Sequence, residues 1–248
     1  MNIPGYKKRF SVEFYNTDFR SELKLSALFG MLQETAGPAS EALGFGFSRM
    51  RERFNAAWIL TRVRADVARP AAWGEEIVIE TWNRNHSRTM FERDFIVWGA
   101  DGERLASAVS KWVVLNVDTR TMLSADDFGF NEKDIDLPRA IDCKLGRLRA
   151  PDALTDVYRR AVAYSDVDVN GHVNNARYVD LAMDSLPLEY HAENIVKSIE
   201  ISYVSEARAG DTLTLRSASS EDAPGVIYIE GVNGDAVVFR AQLTTAAR

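Results

Sequence analysis

Two stretches of the chain place apolar residues at helical spacing. Apolar residues that recur every three or four positions indicate a helix with one buried face. A Gly37-Pro38 pair stands inside the first stretch, so we expect the first helix to kink or to end early. The apolar positions are Leu25, Leu28, Phe29, Leu32, Ala36, Ala39 and Leu43 in the first stretch and Val179, Ala182, Met183 and Leu186 in the second.

An extended segment precedes each helical stretch, and runs of apolar and β-branched residues follow it, which predicts strands. Each half of the chain therefore combines one helix with several antiparallel strands, an α+β fold. The predicted strands are Trp58–Val67, Glu76–Asn83, Thr89–Trp98 and Leu105–Val117 in the first half, and Val196–Val204, Thr212–Ser217, Val226–Val232 and Ala236–Thr244 in the second.

The two halves repeat one another. Trp73-Gly74-Glu75 opens a predicted strand, as Ala209-Gly210-Asp211 does 210 − 74 = 136 residues later. The hairpin signals Asp101-Gly102 and Asn233-Gly234 lie 234 − 102 = 132 residues apart. A period of this length is too long for a solenoid, so we interpret the chain as a duplicated domain.

The first half contains an insertion. Asp18 and Asp168 lie 168 − 18 = 150 residues apart, so the first half has about 150 − 136 = 14 extra residues after its helix. They fall at residues 44–54, a segment rich in Gly and Phe. We predict either a wall or lid for an apolar ligand or an ordinary surface loop.

Composition and charge exclude several classes of function. The chain has 248 residues, 46% of them hydrophobic, and a net charge of −6, which argues against nucleic acid as the main partner. No apolar run reaches membrane-spanning length and residues 1–10 do not form a secretory signal, so we expect a cytoplasmic protein without a membrane span. The single cysteine, Cys143, excludes an internal disulfide, and the spacing of the histidines predicts no metal site.

Polar residues with catalytic potential cluster just before the second helix. Asp168, Asn170 and His172 are spaced two residues apart, so in an extended chain their side chains would share one face. Asn174 or Asn175 then caps the helix. Helix N-terminal N–H groups favour negative charge, so this region suits a carbonyl that must become an oxyanion. We read Asp166 as a turn or strand-end residue, and we assign no role to His86 or His191.

The run Asp-x-Asn-x-His-Val-Asn-Asn before a helix resembles the acyl-acyl carrier protein (acyl-ACP) thioesterases. In that family a glutamate joins the three residues, and Glu206 matches it, 206 − 172 = 34 residues after His172. Leu32-Gln33-Glu34-Thr35-Ala36 and Trp58-Ile59-Leu60-Thr61-Arg62 extend the resemblance to the first half.

The resemblance implies a tandem (double) hot-dog fold, in which an antiparallel sheet wraps a helix in each half. We divide the chain into an N-terminal hot-dog domain at residues 1–125 for acyl binding, a linker at 126–158, and a catalytic C-terminal hot-dog domain at 159–248. The implied activity is hydrolysis of acyl-ACP to free fatty acid and holo-ACP, in fatty acid biosynthesis, with no cofactor. A homodimer is compatible with the resemblance.

The resemblance also suggests roles for the polar residues. Asn170 would bind the carbonyl together with helix N-terminal N–H groups, and Glu206 would activate water or attack directly to form an anhydride. His172 would share the water or relay a proton, and Asp168 would orient His172 or Asn170. Plant relatives often have Cys after this Glu, whereas this chain has Ala207, so a thiol nucleophile is disfavoured and Cys143 is expected to be dispensable.

The first half lacks the polar set, because Arg20, Glu22 and Pro70 occupy the positions of Asn170, His172 and Glu206. We therefore expect one active site per chain and an acyl-binding first half, in which larger side chains at Met31 or Leu32 would shorten the product. The predicted acyl-binding residues are Met31, Leu32, Phe47 and Trp58, with Leu28, Phe45 and Phe54 nearby.

Other functions stay open at this point. They are an acyl-CoA thioesterase, a non-catalytic acyl-binding hot-dog protein and, with less support, a hot-dog dehydratase. A basic linker segment is either a docking site for the acidic carrier protein or an ordinary solvated segment. Its cations are Arg139, Lys144, Arg147, Arg149, Arg159 and Arg160.

Overall fold

The computed structural model describes residues 5–84, 86–130, 138–220 and 222–248. The strands are β1 (Tyr6–Ser11), β2 (Ala56–Val67), β3 (Glu76–Asn83), β4 (Phe91–Gly99), β5 (Arg104–Asn116), β6 (Met122–Leu123), β7 (Thr155–Ala161), β8 (Asn194–Tyr203), β9 (Thr212–Ser219), β10 (Val226–Asn233) and β11 (Ala236–Ala247). The helices are α1 (Leu25–Ala42), α2 (Phe47–Phe54), α3 (Asn175–Asp184) and α4 (Leu188–Glu193), with short 3-10 turns at Phe14–Asn16, Ala125–Phe128 and Tyr164–Asp166.

All of these strands join one antiparallel sheet. Its order is β1-β3-β4-β5-β2-β8-β11-β10-β9-β7, and β6 adds to β5. The two halves of this order mirror each other about the centre of the sheet. Strands β1, β3, β4, β5 and β2 of the first half correspond to β7, β9, β10, β11 and β8 of the second. The halves meet where β2 pairs with β8, from Arg62 opposite Ser202 to Asp66 opposite Ser198. The duplicated α+β architecture predicted from the sequence is confirmed.

One hydrophobic core serves both halves. Leu28 and Phe29 of α1 and Val179 and Ala182 of α3 are buried in the same apolar cluster as residues from β2, β3, β8 and β11. The helical spacing seen in the sequence thus marks the faces of α1 and α3 that pack on the sheet. This packing fixes the N-terminus of α3 relative to the first half.

Helix α1 continues through Pro38. Of the two effects predicted for Gly37-Pro38, an early end is wrong, since α1 runs to Ala42. A proline has no N–H group, which leaves the carbonyl four residues earlier, that of Glu34, without its helical donor. The ammonium group of Lys8 donates to this carbonyl at 3.4 Å and to the Glu34 carboxylate at 3.1 Å. A tertiary contact therefore replaces the missing helical hydrogen bond.

The segment predicted as an insertion contains a helix, and part of the extra length lies in α1, which has 18 residues against 10 in α3. Residues 47–54 form α2, in which Met50 is fully buried and Phe54 is partly buried on the opposite end of the same face. Phe47, by contrast, is 65% exposed. The spacing of Met50 and Phe54 is that of one helical turn, so the insertion packs one apolar face onto the first half.

The segment between the halves is partly packed into the fold. Phe128, Phe130, Leu145 and Leu148 are buried, and β7 already begins at Thr155. Residues 131–137 of the predicted linker and residues 1–4 of the predicted first domain lie outside the described residues. The division at 125 and 159 stays a prediction. Two of the basic residues of this segment have acidic partners, since Arg160 pairs with Asp166 at 2.5 Å and Arg139 with Asp142 at 4.0 Å.

Candidate active site

Residues 168–172 form a tight turn rather than an extended strand. The Gly171 N–H donates to the Asp168 carbonyl at 3.0 Å, and Gly171 has φ +77°, a conformation that glycine adopts without steric cost. Val167 and Val173 pair on either side of the turn. The prediction that residues 168, 170 and 172 share one strand face is therefore wrong.

Asp168 stabilises this turn. Its carboxylate accepts a hydrogen bond from the backbone N–H of Asn170 at 2.8 Å, which is the usual local contact of an aspartate that begins a turn. Asp168 thus orients Asn170 through the backbone, and both side chains line the same cavity.

Asn174 caps α3, as the sequence predicts. Its side-chain oxygen accepts from the Ala176 N–H at 2.9 Å, and its own N–H donates to the Asp166 carbonyl at 2.8 Å. The Arg177 N–H donates to the Asn174 carbonyl. The Ala176 and Arg177 N–H groups are thus engaged within the helix start, whereas Asn175, the first residue of α3, lines the cavity. Asp166 is buried and accepts from the Ala163 N–H, which fits the predicted turn role.

Glu206 lies beside His172. The distance between His172 Nε2 and Glu206 Oε2 is 3.1 Å. Two hydrogen bonds hold the segments together: the Val173 N–H donates to the Ala207 carbonyl at 2.9 Å, and the Ala207 N–H donates to the Tyr178 hydroxyl at 3.2 Å. The resemblance placed Glu206 in the site, and the structure brings it into contact with His172.

Tyr178 stabilises the segment that carries Glu206 by accepting the hydrogen bond from Ala207. Both Tyr178 and Ala207 are buried, and burial raises the pKa of Tyr178 to about 12, so its hydroxyl stays neutral at physiological pH. This role of Tyr178 was not predicted from the sequence, although Tyr178 directly precedes Val179, a residue of the buried face of α3. A tyrosine near the start of the buried face of a helix can indicate a buried hydroxyl that forms a hydrogen bond.

Replacement of Tyr178 by phenylalanine is expected to destabilise the protein. The substitution leaves the buried Ala207 N–H without its acceptor, which costs about 1–3 kcal/mol of unfolding free energy. We also expect a lower kcat, because Glu206 directly precedes Ala207 and loss of the hydrogen bond to Ala207 would displace the Glu206 carboxylate. Denaturant unfolding and steady-state kinetics check both effects. Wild-type stability in the variant would show that the hydroxyl is not needed there.

A large cavity joins the polar residues to the first half. Its volume is about 1150 Å³, and Asp168, Asn170, His172 and Glu206 all line it. Most of the remaining lining residues are apolar, including Ala36, Leu43, Phe45, Phe47, Met50, Trp58, Phe91 and Phe130, and the same wall contains the charged residues Arg51, Arg84, Glu92 and Arg93.

Only two of the four predicted acyl-binding residues reach this cavity. Phe47 and Trp58 line it, and the indole N–H of Trp58 donates to the Phe45 carbonyl at 2.8 Å. Met31 and Leu32 are instead buried in the main core, and Leu32 borders a small void of about 10 Å³. The structure thus does not bring Met31 and Leu32 to the site.

The first half contains the same turn without the same chemistry. The Asp18 carboxylate accepts from the N–H groups of Arg20 at 2.8 Å and Glu22 at 3.1 Å, and Ser21 has φ +61° where the second half has Gly171. The backbone is therefore conserved between the halves, while the side chains are not.

Contacts around this turn support the alignment of Pro70 with Glu206. The Leu23 N–H donates to the Ala71 carbonyl at 2.8 Å, as Val173 does to Ala207. At the position of His172, Glu22 forms a two-point ion pair with Arg248, at 2.9 and 2.7 Å. The carboxylate–imidazole pair is thus found in the second half.

The other histidines and the cysteine lie apart from this pair. His191 contacts the Met183 carbonyl, and His86 stacks on Phe91. Within residues 5–84, 86–130, 138–220 and 222–248, there is no group of three His, Cys, Asp or Glu residues that could hold a metal ion. No helix in the described part of the chain is long and apolar enough to cross a membrane.

Replacement of Cys143 by serine is expected to leave kcat within about twofold of wild type. Burial raises the pKa of the Cys143 thiol, so the thiolate needed for nucleophilic attack is disfavoured. Thiol-blocking reagents should likewise have little effect on turnover. A folded but inactive Cys143→Ser protein would show that a carboxylate-centred reaction is wrong.

The fold and the site define a double hot-dog enzyme with a carboxylate–imidazole pair in the wall of a large cavity. The acyl-ACP thioesterase N-terminal domain family matches residues 4–128, and the acyl-ACP thioesterase C-terminal domain family matches residues 152–238. The chain belongs to the acyl-ACP thioesterase family.

Individual relatives agree with this assignment. An oleoyl-acyl carrier protein thioesterase from Coriandrum sativum is 28% identical over 253 residues, covering 94% of this chain and 68% of that protein. The crystal structure of an acyl-ACP thioesterase from Bacteroides thetaiotaomicron has a TM-score of 0.87 at 28% identity and covers 97% of each chain. A 12:0-ACP thioesterase from Umbellularia californica, at 21% identity and a TM-score of 0.80, covers 98% of this chain and 97% of that one and shares the fold.

Proposed function

We propose that the protein hydrolyses acyl-ACP thioesters to free fatty acid and holo-ACP and so ends chain growth in fatty acid biosynthesis. The observation that carries the proposal is the contact of 3.1 Å between His172 and Glu206 in the wall of a cavity of about 1150 Å³. The polar end of the cavity suits a thioester, and its aromatic and aliphatic walls suit an acyl chain.

The proposed reaction uses the chain's own side chains. The Asn170 amide donates to the thioester oxygen as negative charge develops there. Glu206 either removes a proton from the attacking water or attacks the carbonyl carbon itself, giving an anhydride that water then opens. The C–S bond breaks in both routes, and the thiolate of the carrier takes a proton that His172 relays. Asp168 holds the turn that presents Asn170.

A matched panel of substrates tests the proposal. Acyl-ACP and acyl-CoA with the same chains are assayed for free acid and free thiol, with Glu206→Gln as the inactive control. We expect faster release from acyl-ACP. Preference for acyl-CoA would instead identify a CoA thioesterase, and binding of acyl chains without turnover would identify an acyl-binding protein.

The setting of the reaction belongs to the same proposal. We infer a cytoplasmic enzyme that meets the acyl carrier protein in solution, as a monomer or a homodimer. Cell fractionation checks the location, and light scattering of the purified protein checks the assembly.

A further inference from the structure

Glu206 has a partner from the other half of the chain. Arg120 lies in the turn between β5 and β6 of the first half, and its Nη2 donates to Glu206 Oε1 at 2.7 Å. His172 faces the other carboxylate oxygen, Oε2, at 3.1 Å. The two oxygens of Glu206 are thus held from opposite sides by residues of different halves.

The turn that carries Arg120 is stabilised by several hydrogen bonds. The side chain of Asn116 accepts from the N–H groups of Asp118 at 3.1 Å and Thr119 at 3.0 Å, and the Asn55 amide donates to the Asp118 carboxylate at 2.6 Å. Arg120 itself has φ +57°, a left-handed conformation that costs energy for a residue with a side chain. The fold therefore maintains an unfavourable backbone geometry at the residue that reaches Glu206.

A second arginine, Arg208, lies near the Glu206 carboxylate. Arg208 Nη2 lies 3.9 Å from Oε2, the oxygen that faces His172. With Arg120 bound to Oε1, the carboxylate keeps Oε2 directed at His172. Without Arg120, Oε1 would lose this hydrogen bond and Arg208 would be the arginine left beside the carboxylate.

The duplicated fold supplies a comparison. Strands β5 and β11 occupy equivalent places in the two halves. Arg120 follows β5 and reaches Glu206 of the second half, and Arg248 follows β11 and reaches Glu22 of the first half. The two ion pairs both bridge the halves, but only that of Arg120 reaches the His172–Glu206 pair.

We propose that Arg120 is a positioning residue, which holds the Glu206 carboxylate so that Oε2 faces His172. This role rests on the proposed function. It makes turnover in the second half depend on a turn of the first half.

The test compares Arg120→Ala, Arg120→Lys and Arg248→Ala in the full chain. We expect Arg120→Ala to lower kcat by about 10- to 100-fold, the size expected for a displaced catalytic group, with KM changed much less. Lysine keeps the positive charge, so Arg120→Lys should retain more turnover, and added guanidinium should restore part of the kcat of Arg120→Ala. Arg248→Ala loses the equivalent bridge between the halves and should keep the wild-type kcat.

A second readout follows His172 directly. The chain has three histidines, so their imidazole resonances are readily assigned by NMR. In Arg120→Ala, the His172 resonances should shift while those of His191 stay in place.

Three results would overturn the inference. They are wild-type kcat in Arg120→Ala, a loss confined to KM, which would make Arg120 a substrate contact, and an equal loss of kcat in Arg248→Ala, which would make it a general bridge. Failure of the proposed function looks different, because the wild-type protein itself would then release no acid from any acyl-ACP.

Discussion

Glu206→Gln is expected to lower kcat by about 100-fold or more while the protein stays folded. Glutamine has nearly the shape of glutamate but carries no charge, so it cannot accept a proton from water or attack a carbonyl. His172→Ala should cause a loss of similar size, because it removes the group that lies 3.1 Å from Glu206 Oε2. Steady-state release of free acid from acyl-ACP measures both effects.

The matched control is Glu22→Gln. Glu22 also has an arginine partner from the other half of the chain, Arg248, and it lies at the position of His172 in the first half. This variant should lose an ion pair yet keep its turnover. Near-normal kcat in folded Glu206→Gln, or an equal loss in Glu22→Gln, would show that the catalytic assignment is wrong.

Ala36→Phe is expected to shift the products toward shorter acids. Ala36 is a buried α1 residue that lines the large cavity, so a phenyl ring there would occupy space available to the acyl chain. Each buried CH₂ is worth about 0.8 kcal/mol, so displacing two of them should disfavour the longest substrates by roughly 15-fold. Gas chromatography of the acids released from a mixed acyl-ACP pool measures the profile.

Leu32→Phe is the control on the same helix. Leu32 packs in the core, so the larger side chain should lower stability, by about 1–3 kcal/mol, without changing the profile. If Ala36→Phe instead slowed release equally for every chain length, Ala36 would be a packing residue and the acyl pocket would lie elsewhere.

Local sequence patterns predicted the elements well because the physics that sets them is local. Apolar spacing located α1 and α3, and Asn174 marked the start of α3. The turn at residues 168–172 had a signal too, since Asn170-Gly171 is a turn dipeptide. The spacing of two residues between polar side chains was the weaker indicator, because a turn brings such residues together as readily as a strand does.

Local sequence patterns could not predict contacts between segments that are far apart in the chain. Glu206 entered the prediction through family resemblance alone, and Arg120, 206 − 120 = 86 residues before it, had no signal at all. Helical spacing marked Met31 and Leu32 as apolar and inward, but it cannot distinguish a core from a cavity wall. The helix α2 was missed at residues 47–54, although Phe47, Met50 and Phe54 stand at helical spacing there.

The continuous sheet also has a consequence for association. A strand at a sheet edge offers backbone groups to any other chain, and charged side chains along it discourage such pairing. The outermost strands are charged: β1 carries Lys7, Lys8 and Arg9, and β7 carries Asp156, Arg159 and Arg160. The pairing of β2 with β8 covers the backbone edges of two further strands, which carry Arg62, Arg64 and Asp66 on β2 and Lys197 and Glu200 on β8. Dividing the chain between its halves would therefore uncover two long strand edges whose backbone N–H and carbonyl groups are paired in the intact chain, and separated halves should aggregate more readily than the whole protein.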